Sequence, residues 1–491
     1  MFDLAIIGGG VNGCGIARDA AGRGLSVLLL EKDDLASHTS SAATKLIHGG
    51  LRYLEQYEFR LVRKALKERE VLLAAAPHII WPLRFVLPVD EGMRPAWMLR
   101  AGLFLYDHLG GRELLPGTQR HDLTTSPMGA PLEKRLTRGF SYSDCWVEDA
   151  RLVTLNALDA RERGAQVRTR TACTGLERRN DRWMITAGEE RFEARALVNA
   201  AGPWADAVAG LSRPEAGHDL RLVKGSHIVV RRAYEGDQAY IFQNGDGRVI
   251  FAIPYEHDFT LIGTTDRPHD DPSVPPEASE EEIVYLLDAV NEYFERDLVR
   301  EDVVWTYSGV RPLVDDHEAD ASDVTRDYVL RLQAEGGAPM LSVLGGKLTT
   351  YRVLAEDALE QLAPLLGNHA HRWTHDATLP GGDFPVDGFA RLAKRYARHW
   401  PWLGDVTAAR YARAYGTRTE RLMEGAYGED DMGRSFGAGL TEREARYLVQ
   451  EEFAGTAEDI LWRRSKLGLH MSETERTEFA QWMETSRFAP N

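Results

Sequence analysis

Gly8, Gly10 and Gly13 stand at the spacing that brings a pyrophosphate against a bare backbone, and Glu31 lies 18 residues beyond the last of them. The glycines follow a short apolar run, Asp3–Ile7, and open a helical pattern through Ile16, Ala17, Ala20 and Ala21 that stops at Gly22 and Gly24. A second run, Ser26–Leu30, ends on Glu31. In such a strand–turn–helix–strand unit Gly8 permits the tight turn, Gly10 lets the pyrophosphate approach, and Gly13 lets helix and strand pack closely, with Asn12 inside the turn. The helix start offers unpaired N–H groups and a positive dipole to the phosphates. Glu31 is placed to accept both hydroxyls of an adenosine ribose. An acid there disfavours a 2′-phosphate, which leaves FAD or NAD.

The loop after the second strand separates these two cofactors. Residues 40–53, SSAATKLIHGGLRY, are small, polar and glycine-bearing where an NAD domain would continue its strand–helix alternation. Ser41, Lys45, Leu46, His48 and Gly49 are spaced along the loop as contacts for an extended dinucleotide. An amphipathic helix, Glu58–Ala76, then stops at Pro77. Further on, the strand-like Ala196–Asn199 runs into Ala200-Ala201-Gly202-Pro203-Trp204, a small-residue turn suited to support a flavin. A third such element joins Leu341–Leu344 to Gly345-Gly346-Lys347-Leu348-Thr349 and a helix, whose N-terminus would face the N1–C2=O edge of a reduced flavin. Three glycine turns, each between a strand and a helix, imply one discontinuous FAD domain.

Composition narrows the rest. Seventy-five Asp and Glu outnumber 59 Lys and Arg in 491 residues, for a formal net charge of −16, which speaks against nucleic acid as a partner. It equally opposes chain-wide attraction to anionic lipid. The three cysteines, Cys14, Cys145 and Cys173, are far apart, so they imply no metal site or disulfide framework, and a reducing cytoplasm is expected. The N-terminus lacks a signal-peptide pattern, and no apolar run is long enough to span a bilayer. The most apolar stretch, Pro95–Leu109, reads as a buried helix, with a membrane-surface helix as the alternative.

Several blocks then carry a family resemblance: IGGGVNGCGIARDAAGRG from Ile7, SSAATKLIHGGLRYLEQYEFRLV from Ser40, RGFSYSDCWVEDARLV from Arg138 and GGKLTTYRVLA from Gly345. With VNAAGPWAD, KGSHIVV, LIGTTD and WTYSGVRPL between them, the chain resembles the FAD-dependent glycerol-3-phosphate dehydrogenases, and most closely their bacterial aerobic branch. The resemblance implies oxidation of sn-glycerol 3-phosphate to dihydroxyacetone phosphate by hydride transfer from C2 to flavin N5. It also implies a ubiquinone-type acceptor, a homodimer, and monotopic attachment to the cytoplasmic face of the inner membrane.

A dianionic substrate needs fixed cations, and arginine's fork matches phosphate oxygens. Arg52, Arg311 and Arg326 lie in blocks where similar enzymes hold the phosphate and the reacting oxygens. Loss of the O2 proton needs a base or a polarising group, for which His48 comes first and His227 second. Arg311 and Lys347 are candidates to stabilise the developing alkoxide, and Tyr53 and Thr265 to add neutral hydrogen bonds.

The expected fold is α/β: a Rossmann-like FAD-binding domain of the glutathione-reductase and D-amino-acid-oxidase type, an antiparallel-sheet substrate domain, and a C-terminal all-α domain. The boundaries are 1–76, 139–218 and 300–377 for FAD, 77–138 and 219–299 for the substrate or cap domain, and 378–491 for the helices. Trp462, Arg463 and Arg464 in the last region are explained by core and surface before any quinone or partner site. Rival functions are an oxygen-reducing oxidase of the same substrate, an amine or amino-acid oxidase, and a non-catalytic nucleotide sensor.

Overall fold

The computed structural model describes residues 1–54, 57–90, 95–212, 220–314 and 327–486. Arg326 lies outside the described residues.

Phe2–Ile7 is apolar on both faces and forms the middle of a parallel sheet, flanked by Val27–Leu30 on one side and Glu190–Asn199 on the other. Met340–Leu344 pairs beyond Glu190–Asn199, and Gln166–Arg168 beyond Val27–Leu30. Strands distant in sequence thus lie side by side. Their registers (Ile7 against Leu30 and Asn199, Asn199 against Ser342) align their carboxyl ends. The three glycine turns therefore emerge along one edge, where open α/β sheets bind ligands. Helices Val11–Gly22, Asp149–Glu162 and Tyr351–Leu366 pack together beneath, and the approach is close enough to require a missing side chain: a Cβ on Gly15 would lie 2.7 Å from the Tyr351 ring.

The second sheet comprises ten strands among the described residues. Leu220–Arg231, Phe259–Gly263, Val249–Tyr255 and Ala239–Gln243 run antiparallel in that order. Ile80–Val89 joins parallel to the last, and Arg138–Val147 pairs antiparallel beyond it. Helix Glu280–Asn291 covers one face through Ile283, Leu286 and Val290. The sequence-based boundaries placed residues 139–147 and 303–314 in the FAD unit. Their strands, Arg138–Val147 and Val303–Val314, hydrogen-bond into this second sheet instead. Arg138–Val147 runs directly into helix Asp149–Glu162 of the nucleotide domain, so a linear boundary hid where the strand pairs. Arg311 thus lies inside strand Val303–Val314, with its register fixed against Val223.

The C-terminal region has its own core, built around Tyr396, Tyr411, Tyr415, Leu448, Ile460 and Phe479. Among the described residues its regular structure is helical except for a short ladder between Ser435–Gly437 and Leu440–Thr441, too brief to show as an alternating pattern. Buried charges join this region to the nucleotide sheet. Arg463 and Arg464 each reach Asp34 at 2.7 Å, and Arg151 pairs with Glu452. Such pairs cost about 3–5 kcal/mol when one partner is removed, so these arginines hold the two regions together.

The helix expected to be buried, Ala96–Leu109, is not. Leu99, Leu103 and Tyr106 face inward, but Trp97 is 73% and Phe104 61% exposed, with Met98 and Leu105 beside them. Its apolar residues surround the whole helix, and a single sheet face can cover only one side. Among the described residues no helix is long and apolar enough to cross a membrane.

Candidate active site

The aligned strand ends open into a cavity of about 560 Å³ lined by all three glycine turns. Gly8 adopts φ +113°, and a Cβ there would lie 2.4 Å from the Ala200 carbonyl oxygen. Glu31 closes one end. Its carboxylate accepts from the amides of Gly9 at 2.6 Å and Asp33 at 2.8 Å, and burial lifts its pKa despite those bonds. Asp33 and His38 come near Glu31, but Glu31 spends an oxygen on each amide and Asp33 pairs with Lys32 and His38, which accounts for the cluster without an ion. Asn12 bridges the first and third turns by donating to the Gly345 carbonyl at 3.2 Å, while its Oδ1 has no partner. Pro203 and Trp204 form a wall, with Lys32 over the indole at 4.4 Å.

A second cavity, of about 1170 Å³, meets the first. Leu46, His48, Tyr53, Phe251, Thr264 and Arg311 line both. His48 is pinned to the third turn: its N–H donates to Thr349 Oγ1, and that hydroxyl donates to the His48 carbonyl. Lys347 Nζ lies 4.0 Å above the Tyr53 ring, and Arg52 lines the second cavity. Arg311 Nη2 donates to the Thr265 carbonyl at 3.0 Å and Nη1 pairs with Asp266 at 2.8 Å. Its path exists because residue 225 is glycine, whose Cβ would otherwise lie 2.1 Å from Nη2. His227 lines only the first cavity, stacks on Tyr307 at 4.7 Å and meets Thr44 Oγ1 at 3.0 Å. Burial, then Arg311 and Lys45, push its pKa well below the ordinary histidine range.

The family model for FAD dependent oxidoreductases matches residues 3–352, and that for the C-terminal domain of alpha-glycerophosphate oxidase matches 372–484. This chain belongs to the FAD-dependent oxidoreductases. It is 53% identical to a glycerol-3-phosphate dehydrogenase of Pseudomonas aeruginosa, over 99% of this chain and 95% of that one. It is 52% identical to D-erythritol 1-phosphate dehydrogenase of Brucella abortus, over 99% and 98%, and 49% identical to the aerobic glycerol-3-phosphate dehydrogenase of Escherichia coli, over 98% and 97%. Among solved structures, a glycerol-3-phosphate dehydrogenase from Bacillus halodurans complexed with FAD superposes with a TM-score of 0.78 at 28% identity, covering 99% of this chain and 94% of that one.

The cofactor of this flavoprotein is FAD, and the first cavity fits it: bare backbone at Gly8 and Gly10 would let a pyrophosphate approach, and the buried Glu31 carboxylate would accept from a ribose. Gly8, Gly10, Asn12, Glu31, Leu46, His48, Gly202, Pro203, Trp204, Gly346, Lys347, Leu348 and Thr349 all line it. Four residues expected there do not. Gly13 acts from behind, against the Gly8 carbonyl. Lys45 is fully buried, with Nζ 2.8 Å from Asp149 and 3.0 Å from the Ser41 carbonyl, so it anchors the loop from its far side. Ser41 opens on a neighbouring cleft, and Ser40 faces the cavity instead, accepting from the Val11 amide at 3.0 Å. Gly49 packs against Leu66 and Tyr106.

Thr265 is turned away as well. It is 1% exposed and donates to Glu282 at 2.7 Å, while Thr264 lines both cavities. The strand ends at Gly263, so alternation gave no basis for choosing between adjacent threonines. Ser40, Lys32, His38, Phe251 and Asp266 also border the site without having been expected there. Ser40 and Asp266 belong to blocks in which their neighbours were the ones singled out, while Lys32, His38 and Phe251 belong to none and are brought in by tertiary contact.

Proposed function

We propose that this flavoprotein oxidises sn-glycerol 3-phosphate to dihydroxyacetone phosphate and passes the electrons to a membrane quinone. The observation that carries this reading is the junction of the two cavities, where Arg311, His48, Thr264 and Tyr53 face one space beside Lys347, with Arg52 further along the second cavity. Bound FAD supplies the hydride acceptor. Arg52 and Lys347 are placed to hold the phosphate. Arg311 carries a fixed positive charge to the oxygen on C2 and stabilises it as its proton leaves. His48, fixed by Thr349, takes that proton. Thr264 and Tyr53 orient the remaining hydroxyls.

Full-chain protein should purify with bound flavin and reduce a dye with glycerol 3-phosphate, but not with glycerol or glycine. Flavin bleaching by glycine in place of the phosphate ester would overturn the reading. Rapid oxygen uptake without dye or quinone would replace the quinone acceptor by the oxidase alternative. A second substrate is favoured by the size of the second cavity, about 1170 Å³, together with the 52% identical D-erythritol 1-phosphate dehydrogenase. A four-carbon alditol phosphate should therefore be assayed beside glycerol 3-phosphate, and the higher kcat/KM assigns the substrate.

Attachment to the inner membrane, as a homodimer, belongs to the same reading. A net charge of −16 repels anionic lipid, so attachment must be local. The exposed Trp97, Met98, Phe104 and Leu105 provide an apolar face, with Arg100 on the same helix and Arg60, Arg63 and Lys67 on its neighbour to meet headgroups. The double variant Trp97→Glu, Phe104→Glu should move the protein from the membrane to the soluble fraction with dye activity retained. Release of the unaltered protein by high salt alone, or a double variant that still sediments with membranes, would exclude this patch.

A further inference from the structure

Glu282 lines neither cavity and is 1% exposed, yet it collects most of the polar contacts behind Arg311. It is the third residue of helix Glu280–Asn291, held there by a capping box with Ser279. One oxygen accepts from Ser226 Oγ at 2.9 Å and Thr265 Oγ1 at 2.7 Å. The other accepts from Lys224 Nζ at 2.8 Å and the Ser279 amide at 3.0 Å. Ser226 in turn touches Ser308 at 2.8 Å, three residues before Arg311 on the same strand, and the Ser226 amide donates to Thr265 Oγ1 at 2.9 Å. The other side of Thr265 is its carbonyl, which accepts from Arg311, and the next residue is Asp266, which pairs with Arg311.

We propose that Glu282 is the positioning residue for Arg311: through Thr265 it fixes the Thr264–Asp266 segment that aims the guanidinium into the junction of the cavities. The inference rests on the role proposed for Arg311 in the oxidation of glycerol 3-phosphate. A carboxylate suits the task because it is acceptor-only and can take four donors at once, so each donor's direction is dictated. Burial alone would raise its pKa, but Lys224, the Ser279 amide and the two hydroxyls hold it down to about 2. The carboxylate therefore stays ionised and acceptor-only over the whole working pH range. A glutamine keeps the shape but presents an NH2 group to at least one of those donors, so part of the set must turn.

The test is steady-state kinetics of the FAD-loaded full chain with glycerol 3-phosphate and a dye, for Glu282→Gln, Thr265→Val, Arg311→Ala and the double variant Glu282→Gln, Arg311→Ala. Glu282→Gln should lower kcat/KM by about 10- to 100-fold at unchanged flavin content, the usual cost of removing a group that orients a functional side chain. Thr265→Val cuts one link and leaves the carboxylate on Lys224 and Ser279, so it should lower kcat/KM less, in the same direction, and serves if the Glu282 variant does not fold. Once Arg311 is alanine there is no guanidinium to aim, and Glu282→Gln should then add less than about twofold, because residues acting as a unit are not additive. A double variant showing the full product of the two single losses would overturn the inference, as would unchanged kcat/KM in both Glu282→Gln and Thr265→Val. If Arg311→Ala alone has no effect, the Arg311 assignment fails first and the inference falls with it, which is a different pattern of results.

Discussion

Arg311→Ala should lower kcat/KM for glycerol 3-phosphate by about 10³-fold while the protein still binds FAD. That magnitude comes from the bonds the guanidinium can offer. Hydrogen bonds to charged groups contribute about 1.5–3 kcal/mol each, and loss of one donor aimed at a developing oxyanion costs about 10²–10³ in rate. Two such contacts give about 4 kcal/mol, or roughly three powers of ten. The loss should fall on the chemical step as well as on binding, so flavin bleaching at saturating substrate should slow in rapid-mixing experiments. Flavin content should be retained, because the partners that hold Arg311, the Thr265 carbonyl and Asp266, do not belong to the glycine turns. Arg311→Lys should recover only part, since an ammonium keeps the charge but cannot span Thr265 and Asp266 with a planar fork. A loss under tenfold for the alanine variant would remove Arg311 from the reacting centre.

Arg311 also shows how far the sequence could be read. Its motif marked it as functional, but its geometry depends on residues of two other blocks whose contact with it no block declares: Gly225, which leaves room for the side chain, and Thr265 and Asp266, which hold it. The FAD fold was legible because strand, glycine turn, helix and acid are neighbours in sequence, and three such turns recur. The second sheet was legible as alternating runs. What was not legible is pairing between distant segments. Val303–Val314 joins Leu220–Arg231, and nothing local says so. Likewise the loop after Glu31 revealed its polar, small-residue character but not which way each residue points. Lys45, at φ +60°, turns its amine toward Asp149, 104 residues on, and leaves Leu46 to face the cavity. For Ala96–Leu109 the sequence left a buried helix and a surface helix both open, because apolar residues flank the Arg100–Asp107 stripe on both sides and periodicity cannot say which side is covered.

The second large effect is expected at Gly13, which lines neither of the two cavities. A Cβ there would lie 2.0 Å from the Gly8 carbonyl oxygen and 3.1 Å from its carbon. Both are backbone atoms, so no rotamer change relieves the overlap, and either the helix start or the turn must move. Gly8 is held on the sheet side, because its amide donates to the Leu30 carbonyl at 2.9 Å and the Ala200 amide donates to the carbonyl of the preceding Ile7 at 2.9 Å. The relief left is withdrawal of the N-terminus of Val11–Gly22, and this would carry away the amides and the dipole proposed to meet the pyrophosphate. Gly13→Ala is therefore expected to cost at least the 1–3 kcal/mol typical of an overpacked core and to yield protein with little or no flavin. Absorbance and fluorescence of flavin released on denaturation measure it directly. The control is Gly210→Ala at the end of helix Ala205–Gly210, where a Cβ meets nothing within 4 Å. The same methyl group should leave flavin content unchanged there. Equal flavin content in the two variants would mean that the close approach of Gly13 to Gly8 does not shape the pyrophosphate site.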